Sequence, residues 1–290
     1  MWSSIQHYHR PRSLEQVFAL RADAPDARYL AGGTDLLVRV RSGEQRPRTV
    51  ISLRSVPELW GIESDASGQT RIGAAVTIAE LLRHPAIREH YPILARAASR
   101  LASPQIRTVA TVGGNLCNAS PCADTAPPLL VLEARVETLG PGGSRRELTL
   151  EQLLSAAGET TLLPGELLGA VLLAPPRPGA RGVFFKKTRV QMDLALASLA
   201  VLVELKGDRC QRVRIAAGSV APTPVRLRSV EALLEGQPLA DPLLDEAQQL
   251  ATASVAPITD LRCTESYRRH IIGVYLRRAL EQLRTREVKA

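Results

Sequence analysis

Apolar positions along the chain change period every few residues, which predicts a mixture of short helices and short strands. Capping boxes, in which Ser or Thr is followed three residues later by Glu or Gln, mark several helix starts. They pair Ser13 with Gln16, Thr77 with Glu80, and Thr149 with Gln152. β-branched and apolar runs predict strands. These runs cover residues 49–53, 59–62, 70–74, 134–139, 145–148, 194–205 and 210–219. Because the two element types mix without a regular βαβ alternation, the pattern favours an α+β fold.

Pro and Gly cluster at residues 175–179, between better-patterned segments, and this predicts a domain boundary near residue 176. The C-terminal part, residues 177–290, opens with a long antiparallel hairpin and continues with helices. Ser229 is expected to cap the first of these helices, Asp241 starts the second, and the last runs from about Glu265 to Arg284. An antiparallel sheet with helices on one side is therefore expected here.

Composition narrows the function classes. The chain has 290 residues, a net charge of +8 and only 3% aromatic residues. Its arginines are scattered, without tracts or interleaved aromatics, which argues against nucleic-acid binding. No run of eighteen apolar residues exists, and the first residues lack a signal-peptide pattern. Four cysteines do not make a disulfide framework in a chain of this size. A cytoplasmic protein without a membrane span is expected.

Two glycine motifs are the strongest candidates for a ligand site. AGGTD occupies residues 31–35, after Tyr29 and Leu30, and TVGGN occupies residues 111–115. Adjacent glycines let the backbone pass close to a ligand, and their amides suit an anion. We therefore expect the two loops to share one phosphate-bearing ligand, and a Cβ at Gly113 or Gly114 to block it. A ligand-free turn is the alternative. Neither motif matches the P-loop or the G-x-G-x-x-G dinucleotide pattern.

Other polar residues leave alternatives open. An ionised Asp124 accepts hydrogen bonds only, so it suits a ligand donor, or it caps the helix that follows. Lys186 and Lys187 place positive charge near a reducible ring or phosphate, or they lie on a solvated edge. Four cysteines and five histidines show no zinc, iron–sulfur or facial-triad spacing. Without an acid–base or nucleophilic motif, any chemistry is expected to belong to a cofactor.

The two glycine motifs also carry a family resemblance. AGGTDLL at residues 31–37 and TVGGNLCNASPCADTAPPLL at residues 111–130 resemble the flavin-binding medium subunit of the molybdenum hydroxylases, the xanthine dehydrogenase and aerobic carbon monoxide dehydrogenase family. LPGELL at residues 163–168, the segment from Phe185 to Ala195, AGSVAPTP at residues 217–224 and YRR at residues 267–269 match as well. The likeness spans nearly the whole chain.

The resemblance implies a PCMH-type FAD-binding fold over residues 1–176, built from two α+β subdomains of about 1–55 and 56–176, followed by a C-terminal α+β domain. It implies FAD contacts from both motifs and from three later residues. The contacts carried over by match are Leu30, Ala31, Gly32, Gly33, Thr34, Asp35, Leu36, Thr111, Val112, Gly113, Gly114, Asn115, Asp124, Leu167 and Lys186. Lys187 is the alternative to Lys186. No catalytic residue and no metal ligand in this chain follows from the match.

The resemblance also implies partners. In this family a large subunit holds the molybdenum cofactor, a small subunit holds two [2Fe-2S] centres, and FAD passes electrons to an external acceptor. A dimer of heterotrimers is expected. Two alternatives are a self-sufficient flavin oxidoreductase of related fold and a non-catalytic ligand-binding or assembly module. The organic substrate, and the choice among NAD, quinone and oxygen as acceptor, are not encoded in this chain.

Overall fold

The computed structural model describes residues 4–285, and its fold is α+β, as predicted. The first three residues of the N-terminal stretch and the last five of the predicted C-terminal domain lie outside the described residues. The strands in the described range are β1 (His7–His9), β2 (Arg28–Leu30), β3 (Thr49–Ser52), β4 (Ile62–Ser64), β5 (Thr70–Gly73), β6 (Arg135–Leu139), β7 (Arg145–Thr149), β8 (Leu154–Ala156), β9 (Glu159–Thr160), β10 (Leu167–Leu173), β11 (Arg181–Lys187), β12 (Ala197–Lys206), β13 (Arg209–Gly218) and β14 (Val225–Arg226).

The helices are mostly short and lie between these strands. They are α1 (Leu14–Asp23), α2 (Leu36–Ser42), α3 (Ile78–Arg83), α4 (Pro85–His90), α5 (Pro92–Ser99), α6 (Pro104–Arg107), α7 (Val112–Cys117), α8 (Ala126–Val131), α9 (Leu150–Leu153), α10 (Arg228–Leu234), α11 (Asp241–Ala253) and α12 (Glu265–Thr285). Prolines at the starts of α4, α5 and α6 suit the first turn, where no amide donor is needed.

Three sheets organise the chain. The first is a small parallel sheet in the order β1-β3-β2. The second is antiparallel in the order β4-β5-β10-β6-β7. The third, in the C-terminal part, is antiparallel in the order β11-β12-β13-β14. A two-stranded β8-β9 pair completes the described strands. The parallel sheet follows a local βαβαβ alternation that the sequence reading did not detect, because β1 is the polar and largely exposed stretch HYH.

Buried side chains form three clusters that follow the sheets. One lies under the parallel sheet, a second surrounds the central antiparallel sheet, and the third lies between the C-terminal sheet and α10 to α12. Phe184, Ala200 and Ala216 come from the C-terminal sheet but belong to the second cluster. One face of that sheet therefore packs against the earlier helices. The predicted division at residue 176 stays a prediction about folding units.

Most predicted elements are present, and the capping boxes at Thr77 and Thr149 form with both reciprocal hydrogen bonds. The box at Ser13 forms only in part, because the Ser13 hydroxyl accepts from the Gln16 amide while Gln16 Oε1 accepts from the Arg12 amide. Two further predictions were wrong. Residues 57–59 form a 3-10 turn that begins at Pro57, so the first strand of that hairpin starts only at Ile62. Ser229 does not cap α10, because the helix begins one residue earlier behind the buried Leu227, and the Ser229 hydroxyl bonds the Ser254 hydroxyl.

Candidate functional site

The first glycine motif is a loop that leaves β2 and leads into α2. Gly32 sits where a Cβ would lie 2.1 Å from the carbonyl oxygen of Val109, so only glycine allows this close approach. Gly33 has a φ of +75°, which turns the chain toward the helix. Within the described residues, the amides of Gly32, Gly33 and Thr34 donate no hydrogen bond to protein. Successive free amides of this kind form a concave anion site.

The second glycine motif is the start of helix α7 and not an open loop. Thr111 caps the helix, with its hydroxyl accepting from the Gly114 amide at 3.0 Å. The Val112 and Gly113 amides donate to the carbonyls of Val76 and Ala74 at 2.9 and 2.8 Å. These amides are therefore already satisfied by protein, which differs from the expected role in anion binding.

Gly113 is required by packing. A Cβ there would lie 2.6 Å from the Ala74 Cβ and 2.8 Å from the Ala74 carbonyl oxygen. At Gly114 the nearest atom to a Cβ is the Thr111 hydroxyl, at 2.8 Å. Contacts inside the protein therefore restrict a side chain at both positions, and since both glycines also line the cavity, the expected exclusion by a ligand stays a prediction.

A chain of side-chain hydrogen bonds joins the two motifs. Asn118, at the end of α7, donates from Nδ2 to Asp35 Oδ1 at 3.1 Å and accepts at Oδ1 from Arg39 Nη2 at 2.9 Å. Asp35 and Arg39 lie four residues apart, on one face of α2. Only one orientation of the Asn118 amide makes both bonds. The first loop and α7 are thereby held at a fixed separation.

Between the two motifs lies a cavity of about 830 Å³. This is within the range of about 300–1,000 Å³ typical of small-molecule sites. Its wall includes every residue carried over above except Val112 and Lys186. The Val112 side chain points into the core and is 1% exposed. Val112 therefore belongs to the motif through its backbone, directly before the two glycines, and not through its side chain.

Asp124 is the buried carboxylate on the cavity wall. Its Oδ2 accepts from Lys186 Nζ at 2.7 Å, whereas its Oδ1 is buried without any hydrogen-bond partner. Burial raises the Asp124 pKa to about 6, and Lys186 opposes that shift. Asp124 does not cap α8, whose N-cap is Thr125. An unpaired acceptor in a buried position calls for a donor from outside the protein.

Lys186 lies behind Asp124, away from the cavity. Its side chain is 1% exposed, and its ammonium also donates to the Arg100 carbonyl at 3.0 Å. On strand β11 the neighbouring Lys187 points to the opposite face, as strand geometry requires, and it makes no ion pair in the described structure. Of the two lysines, Lys186 is the one associated with the cavity, and it acts on the wall through Asp124.

Comparison with known proteins decides the family. A model of the FAD binding domain in molybdopterin dehydrogenase matches residues 3–176, and a model of the CO dehydrogenase flavoprotein C-terminal domain matches residues 183–283. The chain belongs to the FAD-binding subunits of the molybdenum hydroxylases.

Individual relatives agree over almost their full lengths. A xanthine dehydrogenase FAD-binding subunit from Escherichia coli is 33% identical over 277 residues, covering 95% of this chain and 94% of the relative. The carbon monoxide dehydrogenase medium chain of Afipia carboxidovorans is 34% identical, covering 96% of each chain. The solved carbon monoxide dehydrogenase of Hydrogenophaga pseudoflava superposes with a TM-score of 0.93 at 30% identity, covering 97% of this chain and 98% of that chain.

The cavity of this FAD-binding subunit suits a ligand that carries a phosphate in one place and a hydrogen-bond donor in another. The free amides of the first loop suit a phosphate, and the unpaired Oδ1 of Asp124 suits a ligand N–H or O–H. Leu167, the first residue of β10, contributes an apolar surface and is 3% exposed. Glu166 beside it is held by Arg146, whose two hydrogen bonds of 2.7 and 2.5 Å lower its pKa.

Cys117 and Cys122, which follow the second glycine motif, both lie on the cavity wall. Burial raises the Cys117 pKa to about 12, so this thiol stays protonated. Cys122 lies with its sulfur 3.7 Å from Arg262 Nη1. Among residues 4–285, no three His, Cys, Asp or Glu side chains are grouped to hold a metal ion. In the same range, no helix is both long enough and apolar enough to cross a membrane.

Sequence reasoning missed several residues of the wall. Arg39, Gln45 and the segment 192–194 line the cavity, but none of them lies in a glycine motif. The i, i+4 spacing of Asp35 and Arg39 was a usable signal once α2 was known to be a helix. Residues 192–194 lie within the family match from Phe185 to Ala195 but were not assigned to the site; they reach the cavity in the turn between β11 and β12.

Proposed function

We propose that this chain binds FAD between its two glycine motifs and passes electrons from the iron–sulfur centres of a partner subunit to an external acceptor. The observation that carries the proposal is that one cavity is lined both by Gly32 to Thr34, whose amides donate no hydrogen bond to the described protein, and by Asp124, whose Oδ1 is unpaired. The family of the chain makes FAD the group that this arrangement best accommodates.

By this proposal the contacts to FAD come from the wall residues carried over by family match, and Lys186 acts indirectly. The first loop holds the pyrophosphate through its amides, Asp124 accepts from a polar edge of the ligand, and Leu167 covers apolar surface. The second motif fixes the shape of the wall. Lys186 keeps Asp124 in place through their 2.7 Å ion pair. When bound, FAD supplies the capacity to accept and release electrons singly or in pairs.

The partners also belong to the proposal. The relatives are named as medium or FAD-binding subunits of multi-subunit enzymes, which supports a large molybdenum-cofactor subunit and a small [2Fe-2S] subunit as partners. A dimer of heterotrimers in the cytoplasm is the assembly we infer. The acceptor and the organic substrate stay open, because the substrate site is expected in another chain.

Visible spectroscopy of the purified chain tests FAD binding. We expect a flavin spectrum, either as isolated or after adding FAD, with about one FAD per chain. A folded chain that binds no FAD would contradict the proposal. Co-purification of this chain with two further polypeptides, one containing molybdenum and one containing iron and sulfide, tests the assembly.

The same preparation separates the proposal from a self-sufficient flavin oxidoreductase. We expect the isolated FAD-loaded chain not to be reduced by small organic substrates, while the assembled complex is. Reduction of the isolated chain by such a substrate would favour the self-sufficient enzyme. A complex that turns over equally well without FAD would favour a non-catalytic module.

A further inference from the structure

Arg39 places an incompletely used guanidinium on the cavity wall beside the first loop. Of its five N–H donors, one bonds Asn118 Oδ1 at 2.9 Å. Arg39 also forms an ion pair with the exposed Glu44, with 3.7 Å between Arg39 Nε and Glu44 Oε1, a separation beyond hydrogen-bond length that leaves the other donors unused. The Arg39 side chain is 34% exposed. Several donors are therefore available to a ligand in the cavity.

The orientation of Arg39 is fixed before any ligand arrives. Asn118 is held in one amide orientation because it donates to Asp35 while accepting from Arg39. The Asp35 carboxylate is itself engaged, since Oδ1 accepts from Asn118 at 3.1 Å and Oδ2 accepts from the Thr34 hydroxyl at 3.4 Å. Arg28 also lines the cavity, but no hydrogen bond or ion pair of its side chain is found in the described residues. Arg39 is thus the arginine that the wall holds in place.

A second residue at this end of the cavity, Gln45, has a buried polar atom without a partner. Gln45 lines the wall, and its backbone N–H donates to the Arg39 backbone carbonyl at 3.1 Å. The side-chain Oε1 of Gln45 is buried without a partner. A buried polar atom without a partner is costly unless a ligand or water supplies the missing bond. Arg39 and Gln45 therefore bound a polar end of the cavity, next to the free amides of Gly32 to Thr34.

We propose that Arg39 is a specificity-determining residue that donates to the pyrophosphate of the bound dinucleotide, selecting ligands with that group over a flavin without it. This inference rests on the proposed FAD binding. Guanidinium groups suit phosphate oxygens because their planar donors bond two oxygens together. Backbone amides carry no full positive charge. Arg39 therefore supplies a positive charge opposite the negative charge of the pyrophosphate, at the end of the cavity that Arg39 and Gln45 bound.

The test compares ligands that differ in their phosphates. FAD, ADP and riboflavin are titrated into the apoprotein of the wild type, Arg39→Gln and Arg41→Gln. FAD and riboflavin binding is followed by flavin fluorescence, and ADP binding by displacement of FAD. Arg41 lies on the same helix, is exposed and is not on the wall, so its variant is the matched control.

For Arg39→Gln we expect the affinity for FAD and for ADP to fall by about 10-fold to 100-fold, the effect of losing a charge-assisted hydrogen bond. Riboflavin affinity and the thermal unfolding temperature of the apoprotein should not change, and Arg41→Gln should match the wild type. The wild-type affinity for FAD should weaken with added salt more than that of Arg39→Gln.

Different results would contradict FAD binding by the chain and the role of Arg39 within it. A wild-type chain that binds neither FAD nor ADP contradicts FAD binding itself. A wild type that binds FAD while Arg39→Gln binds FAD and ADP with unchanged affinity overturns the role of Arg39. Equal losses for riboflavin and FAD would also overturn it, because Arg39 would then act on the shape of the site and not on the pyrophosphate.

Discussion

Replacing Lys186 with Met removes the cation of the most buried ion pair on the cavity side of the molecule. Both side chains are nearly inaccessible, at 1% for Lys186 and 7% for Asp124, and their charged atoms are 2.7 Å apart. Met keeps most of the side-chain volume, so the perturbation is mainly electrostatic. The variant leaves a buried carboxylate with neither oxygen paired to protein, since Oδ1 already lacks a partner.

The expected loss of stability is about 3–5 kcal/mol near pH 8, the usual cost of removing one member of a buried pair. The direct attraction at this distance is about 6 kcal/mol with an effective dielectric constant of about 20, and desolvation offsets part of it. The loss is expected to shrink at low pH. The folded-state pKa of Asp124 is raised from 3.8 to about 6, so the carboxyl is largely neutral at pH 5 and has no charge for Lys186 to balance.

The assay is urea unfolding of the apoprotein at pH 8 and at pH 5, with Lys187→Met as the control. Lys187 is the next residue on the same strand and makes no ion pair in the described structure, so its variant should stay within about 0.5 kcal/mol of the wild type at both values of pH. A loss below about 1 kcal/mol for Lys186→Met, or a loss equal at the two pH values, would refute the reasoning.

Three further predictions follow from the contacts of the site. Gly113→Ala should lower the free energy of unfolding by about 2–3 kcal/mol, because the new Cβ would lie 2.6 Å from the Ala74 Cβ. Gly114→Ala should cost less than about 1 kcal/mol, because the new Cβ meets only the Thr111 hydroxyl, which can rotate away. Denaturant unfolding of the two apoproteins checks this order. Wild-type FAD affinity should weaken as the pH falls through about 6, since protonation of Asp124 removes an acceptor, and Asp124→Asn should abolish this dependence in fluorescence titrations. Thr77→Ala should cost about 1 kcal/mol in thermal unfolding through loss of the α3 capping box.

Elements with strong local signals could be predicted from sequence, and elements defined by distant partners could not. The hairpin of β12 and β13 carries β-branched residues around a Gly-Asp turn, so the local pattern was sufficient. Strand β10 lies at the centre of the second sheet, yet it was not predicted. Its sequence LLGAVLL is apolar throughout and is buried at six of its seven positions, so it shows no alternation of apolar and polar residues. Its register with β6 also shifts by a bulge between Leu168 and Ala170, and its partners lie far away in sequence.

The site could be predicted at the level of the two motifs and not at the level of their chemistry. Composition and spacing led to Gly32 and Gly113 as residues of one site, but both were assigned to ligand contact. The structure shows that both bring protein backbone together, Gly32 against Val109 and Gly113 against Ala74. Which amides are already used depends on strands and bridges that no short motif records.

The residues that fix the shape of the cavity differ from the residues that provide groups for ligand binding. Val76 accepts from the second motif, Ile78 donates to Ala110, and Thr77 bridges to Thr111, so the start of α7 is fixed to the segment that leaves β5. The Asn118–Asp35 hydrogen bond links the first loop to α7, so the free amides of this loop are held in place before binding, which lowers the ordering cost of binding. Substitutions at the packing glycines should therefore change stability and affinity together. Arg39 lies at the end of the hydrogen-bond chain through Asn118, and its replacement leaves the Asn118–Asp35 bond in place, so affinity should change more than stability.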